Sequence, residues 1–393
     1  MKPWLTSTLT ATTSPLKRLL AGVAACGFAG AIALLSPQHA TAQEIADGPP
    51  TVQPAPAMGL WEINRPAGMP RLTITSPTGG VAHIFPTVQL HNQVHNFSYD
   101  GGTPPLVYHS GGSVMQPSVT LYSIFWTGGV NFPPNYNNLM NRLAQDYPGH
   151  GIMNVATQYY QTIGTTTTYI KNAGADGGNY TDTSAYPASG CTDSATPGKC
   201  LTDAQLQSEV KKVMGIKGWT GGLNKVFILY TNSGEGSCFD SSSTSCAFTQ
   251  YCAYHSFISG SPDIIYANMP YPILANCQEP GAPSPNSNPA ADTAMTAASH
   301  EITESITDPL LNAWFDSSGN EIGDECAYDY GYYLSYDSGK ANQEWNGHFY
   351  LLQGEFDNHA FAGVYDLSTK SVVTGYGCSQ VGPFASPPSQ GAF

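Results

Sequence analysis

The sequence predicts a mixed α+β protein, a sheet with one long site-bearing helix packed against it and disulfides stapling its loops. Three observations carry that expectation. Runs rich in β-branched and aromatic residues alternate with stretches of helical periodicity. One of those helices, between Asn288 and Asp308, has both ends written in the sequence. The third is an even set of cysteines in a chain marked for export.

The export signal comes first. Lys17 and Arg18 precede an apolar run from Leu19 to Leu35 that ends near Ala40-Thr41-Ala42. A signal peptidase reads that order of charge, apolar run and small residues, which places cleavage after Ala42 and the remainder outside the cell. The run falls short of the roughly 20 apolar residues that span a bilayer, so no membrane attachment is expected once the signal is gone. Val23-Ala24-Ala25-Cys26 offers a second reading of the same segment, a lipoprotein anchored at Cys26.

Residues 43–115 are rich in Pro and Gly and read as a leader, propeptide or small β appendage, with short strands expected at Arg71–Thr75 and Val88–Phe97. The main domain is expected over 116–380, and 381–393 as a flexible tail. Val119–Trp126 reads as a strand by composition, followed by helices around Asn138–Asp146 and Met153–Ile163. Residues 164–200 are polar and glycine-rich and read as loop. Thr202-Asp203 opens a helix to about Met214, with Leu206, Val210 and Val213 on one face. Lys225–Thr231 and Asp263–Asn268 read as strands, with a stapled excursion over 238–252 between them. Asn288 caps the long helix, Pro289 takes its first position, and Pro309 ends it at Asp308. A hairpin is expected over Trp314–Glu321 and strand material over Glu344–Phe356.

With Cys26 removed, eight cysteines remain, and pairing between neighbours gives Cys191–Cys200, Cys238–Cys246, Cys252–Cys277 and Cys326–Cys378. Only 11% of the residues are charged and the net charge is −14, so there is no basic cluster to replace the counterions of nucleic acid or of an anionic membrane. No G-x-S-x-G elbow, phosphate loop or dinucleotide fingerprint occurs.

The chemistry concentrates on the long helix. At about 100° per residue, His300, Glu301, Glu304 and Asp308 share one arc, while Met295, Ala298, Ile302 and Ile306 occupy the opposite one. An imidazole and a carboxylate at i and i+4 can chelate one divalent metal ion, and Glu301 stands beside them as the base for a metal-bound water.

The run His300-Glu301-Ile302-Thr303-Glu304 resembles the H-E-x-x-H helix of the gluzincin metallopeptidases, with Glu304 in place of the last histidine. That resemblance implies a zincin-like sheet and a third, acidic ligand at Asp324, twenty residues on. It also implies a metal-dependent hydrolase with Glu301 as its catalytic residue. Two carboxylates and one imidazole neutralise a divalent ion, which opens the choice of metal beyond zinc, the first expectation, to oxygen-preferring ions such as calcium. Asp308, Glu321, Tyr328 and His348 are the expected supporting residues or oxyanion donors, with Tyr330 and His359 behind them.

From about Gly111 to Cys378 the chain carries Asn312-Ala313-Trp314, Glu321-Ile322-Gly323-Asp324-Glu325-Cys326 and Asn346-Gly347-His348-Phe349-Tyr350-Leu351-Leu352-Gln353. With these motifs the stretch resembles the EXORDIUM or phosphate-induced family. This implies an exported, non-catalytic wall or signalling protein whose partner is an extracellular peptide or wall polymer. Asp316, Ser318, Asn320 and Asp324 alternate like a calcium loop without its glycine. Twenty-three tyrosines, with a run over Tyr328–Tyr333, offer an aromatic surface for sugars. His255, beside Tyr254, reads as a packing residue.

Overall fold

Seven strands form the central sheet: β1 (Thr73–Thr75), β2 (Val81–Pro86), β3 (Val119–Trp126), β4 (Gly174–Asp182), β5 (Lys225–Thr231), β6 (Tyr251–Ile258) and β7 (Ile264–Pro270). Their order across the sheet is β1-β2-β6-β7-β5-β3-β4. From β7 through β5 and β3 to β4 neighbouring strands run parallel, and from β7 through β6 and β2 to β1 they run antiparallel. This computed structural model describes residues 72–95 and 106–381, apart from 78, 317, 332, 337–338, 363, 367–370 and 374–376. The expected signal peptide, its cleavage site, Cys26 and nearly all of the expected tail lie outside the described residues.

The fold is mixed α+β, with helices on both faces of the sheet. Helices α1 (Val88–His95), α2 (Tyr136–Asp146), α3 (Asp203–Lys217) and α4 (Pro289–Thr307) are the main ones. Helix α4 packs over β2, β6, β7 and β5 and against α2. At the start of α3, Asp203 accepts hydrogen bonds from the Tyr254 and Tyr266 hydroxyls. Because successive strand residues point to opposite faces, Tyr254 reaches α3 on one face while His255 turns to α4 on the other. β5 is buried along nearly its whole length, as a covered parallel strand must be.

Helix α4 begins as its sequence predicts. The Asn288 side chain accepts the Ala291 N–H at 3.2 Å, Pro289 follows, and the Asp308 N–H closes the last turn on Glu304. Every residue from Ala290 to Thr307 is buried. The four expected disulfides all form, with Cys326–Cys378 closing the widest span, 52 residues.

Several expected elements differ. Residues 73–95 are not apart from the main fold, because β2 pairs with β6 inside the sheet. That pairing joins segments more than 160 residues apart, which local sequence cannot announce. Val88–His95 is helical where a strand was expected: the Thr87 hydroxyl accepts the Leu90 N–H, a helix-start bond that outweighs two β-branched residues, Val88 and Val94. The helix expected over Met153–Ile163 stops at Val155. A single 3-10 turn follows, then a hairpin of Tyr160–Ile163 with Thr166–Tyr169 across Gly164 at φ 61°. Within the expected loop 164–200 lies β4, a glycine-rich edge strand without apolar periodicity to mark it. Trp314–Phe315 pairs with Val107–Tyr108 and not across its own turn.

Candidate metal centre

β2 and β6 lie side by side with His83 and His255 as direct cross-strand partners, both facing α4. One turn of α4 supplies His300, Glu301 and Glu304, and the chain after it returns Glu321 and Asp324 to the same place. The 3-10 turn Asp324–Cys326 is tied down by the Cys326–Cys378 disulfide, and the Glu321 N–H donates to Asp324 Oδ2. Three imidazoles and four carboxylates thus meet between the helix and the sheet. None of the seven side chains is more than 2% exposed.

His83 Nε2 bonds Asp324 Oδ2, and its Nδ1 lies 3.4 Å from Glu321 Oε1. His255 Nδ1 lies 3.1 Å from Glu301 Oε2 and 3.4 Å from Glu304 Oε2, while its Nε2 is 3.7 Å from Glu321 Oε2. His300 Nε2 is 3.0 Å from Glu304 Oε1 and 3.7 Å from Asp324 Oδ1. Phe85 packs tilted against the His300 ring, with centroids 4.7 Å apart, and its N–H donates to Glu301 Oε1. Candidate ligand atoms of His83, Glu304 and Asp324 all lie within 4.8 Å of one another, as do those of His255, Glu301 and Glu304.

Gln353 governs how His300 can act. Its Nε2 donates to the Gly323 carbonyl at 2.8 Å and faces His300 Nδ1 at 2.9 Å, while its Oε1 accepts the Tyr328 N–H. An amide donor at Nδ1 makes that nitrogen the acceptor, so the neutral ring carries its proton on Nε2, toward Glu304. A cation on His300 Nε2 therefore requires the Gln353 amide to turn over, whereas His83 and His255 carry no such restriction.

The electrostatics follow from seven ionisable groups in a dry space. Burial works against charge on the imidazoles, but the surrounding carboxylates prevail. His83 is raised by Asp324 and Glu304, His255 is raised to about 9 by Glu301 and Glu304, and His300 to about 10 by Glu304, Glu301 and Asp324. Burial raises Glu301 and Asp324, and raises Glu321 well above the carboxylate range with the help of the neighbouring carboxylates. Glu304 goes the other way: burial opposes its ionisation, and His300 and His255 overcome that and lower it.

The donor set fits a divalent cation. Six buried atoms of the centre complete no hydrogen bond: His255 Nε2, His300 Nε2, both Glu304 oxygens, Glu321 Oε2 and Asp324 Oδ1. Buried polar atoms without partners are costly, and a cluster of them on nitrogen and carboxylate oxygen is the surrounding a metal ion satisfies. Mixed imidazole and carboxylate donors suit zinc, manganese or iron(II).

The sequence-predicted residues divide. His300, Glu301, Glu304, Glu321 and Asp324 come together as expected. Asp308 caps α4, accepting the Asn312 and Ala313 N–H groups, and burial raises it to about 6. Tyr328 is no oxyanion donor here, because its hydroxyl donates to the Pro86 carbonyl. His348 belongs to another cluster, pairing with Asp146 beside Asn346 and Tyr350. The calcium-loop set separates: Asp316 accepts the Ser318 and Asn320 N–H groups of its own turn, and Asp324 turns to His83. Of the tyrosine run, Tyr328 and Tyr330 are buried while Tyr333 is exposed. His83 and His255 are the residues that sequence reasoning missed. Their signal was a histidine within each of two apolar, strand-forming runs, without anything to say that the runs pair.

The acid-imidazole front of α4 faces the sheet. Among the described residues no helix is long and apolar enough to cross a membrane, and the four disulfides accord with an oxidising compartment. Comparison of the chain with protein-family models, with curated proteins and with solved structures finds no match.

Proposed function

We propose that this chain is an exported metalloprotein in which a divalent cation, held by His83, Glu304 and Asp324 with His255 and Glu321 beside them, locks helix α4 to the sheet. The observation that carries this reading is the convergence of six buried nitrogen and oxygen atoms that complete no hydrogen bond. Zinc is the first candidate by donor type. The closure of the site favours a structural cation in a protein that acts by binding, with an extracellular peptide or wall polymer as its partner, as the EXORDIUM resemblance implies.

A second reading is supported by Glu301. Burial raises its carboxyl beside the ligand set, the direction a general base requires, and this is the residue that the gluzincin resemblance makes catalytic. In that reading the protein is a metal-dependent hydrolase whose helix must part from the sheet to admit a peptide or other acyl substrate.

Elemental analysis of the purified, exported protein tests the first reading, with Glu304→Ala and Asp324→Ala for comparison. Bound zinc, manganese or iron that disappears in both variants is expected. A wild-type protein free of metal after incubation with each ion would overturn it. Hydrolysis of peptide and ester substrates by the metal-loaded protein, abolished in Glu301→Gln with metal retained, would select the hydrolase.

A further inference from the structure

We infer that the centre holds two divalent cations, with the Glu304 carboxylate bridging them; this rests on the metal-centre reading above and fixes its stoichiometry. Two ligand groups share that one residue: His83, Asp324 and Glu304 on one side, His255, Glu301 and Glu304 on the other. The two Glu304 oxygens face different imidazoles. Oε1 faces His300 on the Asp324 side and Oε2 faces His255 Nδ1 at 3.4 Å, and neither completes a hydrogen bond. A carboxylate with each oxygen turned to a different imidazole, inside a fold, is placed as a bridge between two ions.

Glu321 faces the other ring nitrogens of His83 and His255. Its Oε1 lies 3.4 Å from His83 Nδ1 and its Oε2 lies 3.7 Å from His255 Nε2, an oxygen and a nitrogen that both lack a hydrogen-bond partner. His300 then serves as a positioning residue, held by Gln353 with its ring proton toward Glu304.

Manganese(II) tests the count without any substitution. The full chain, purified after export and stripped with chelator, is titrated with Mn2+ and, separately, with Zn2+, with bound metal measured after desalting. Two equivalents per chain are expected. The manganese-loaded protein should show an exchange-coupled spectrum by electron paramagnetic resonance, replaced by isolated ions in Glu304→Gln. His83→Ala and His255→Ala should each keep one equivalent. One equivalent in the wild type, or two that are magnetically isolated, overturns the bridged pair while leaving the metal centre standing. No bound metal at all overturns both.

Discussion

Gly323 sets how closely the chain passes His300, and Gly323→Ala perturbs the centre without removing a ligand. A Cβ at this position would lie 2.5 Å from His300 Nδ1 and 2.7 Å from Cε1, well inside contact distance. The Gly323 backbone is ordinary right-handed helical, φ −79° and ψ −36°, so alanine meets no conformational penalty and acts through that collision alone. Relief requires the imidazole to retreat by roughly 1 Å, to carbon contact distance. That breaks its contact with Gln353 and turns Nε2 away from Glu304. Overpacking of this kind costs about 1–3 kcal/mol. Unfolding entropy near 2.1 cal/mol/K per residue over roughly 300 residues makes this a fall of about 2–5 °C in Tm. Displacing a group that orients a ligand weakens metal by about 10–100-fold. Calorimetric unfolding in chelator gives the first quantity and zinc competition against a chromophoric chelator the second. Gly215→Ala is the control, since a Cβ there meets nothing within 4 Å. Wild-type Tm and wild-type zinc affinity in Gly323→Ala would refute the packing of His300 on this turn.

Other outcomes follow from the same structure. The metal-free protein should lose stability as pH rises from about 6.5 through 9 to 10: His255 and His300 are raised in the folded state to about 9 and about 10, so their contribution is complete below the unfolded pKa and vanishes as they deprotonate. Zinc, which displaces those protons, should flatten the profile in a thermal-shift series and release protons into weak buffer. Replacing Cys326 and Cys378 by serine opens a 52-residue span, an expected loss of about 4 kcal/mol or roughly 6 °C, together with weaker metal binding because Asp324 starts the turn that Cys326 ends. Asn288→Ala removes the α4 cap at about 1 kcal/mol, and should lower Tm while leaving zinc affinity unchanged, since the cap lies twelve residues before His300.

Local rules carried much of this fold. Asn288, Pro289 and Pro309 bound α4 because capping and proline geometry act over a few residues, and the four disulfides join neighbours in sequence. β4 escaped because an edge strand held by Gly174, Gly177 and Gly178 has no apolar alternation to betray it. The candidate site was half legible. His300, Glu301 and Glu304 share an arc by helical period, and Asp324 follows at a familiar spacing. His83 and His255 enter through the pairing of β2 with β6, a contact between distant segments. The orientation of the arc was hidden for the same reason: helical period sets which residues share a face, and only the pairing of β2 with β6 brings His83 and His255 opposite it.

The distance along the chain between the partners His83 and Asp324, 241 residues, gives the centre a place in time. At a synthesis rate of about 5–20 residues per second, His83 is made roughly 12–48 s before the residue that completes its ion pair. No partial chain ending before Glu321 owns the site, so truncated products have nowhere to keep the ion. On the proposed reading, metal loading would come late, and a tightly held ion would certify that both ends of the fold have arrived.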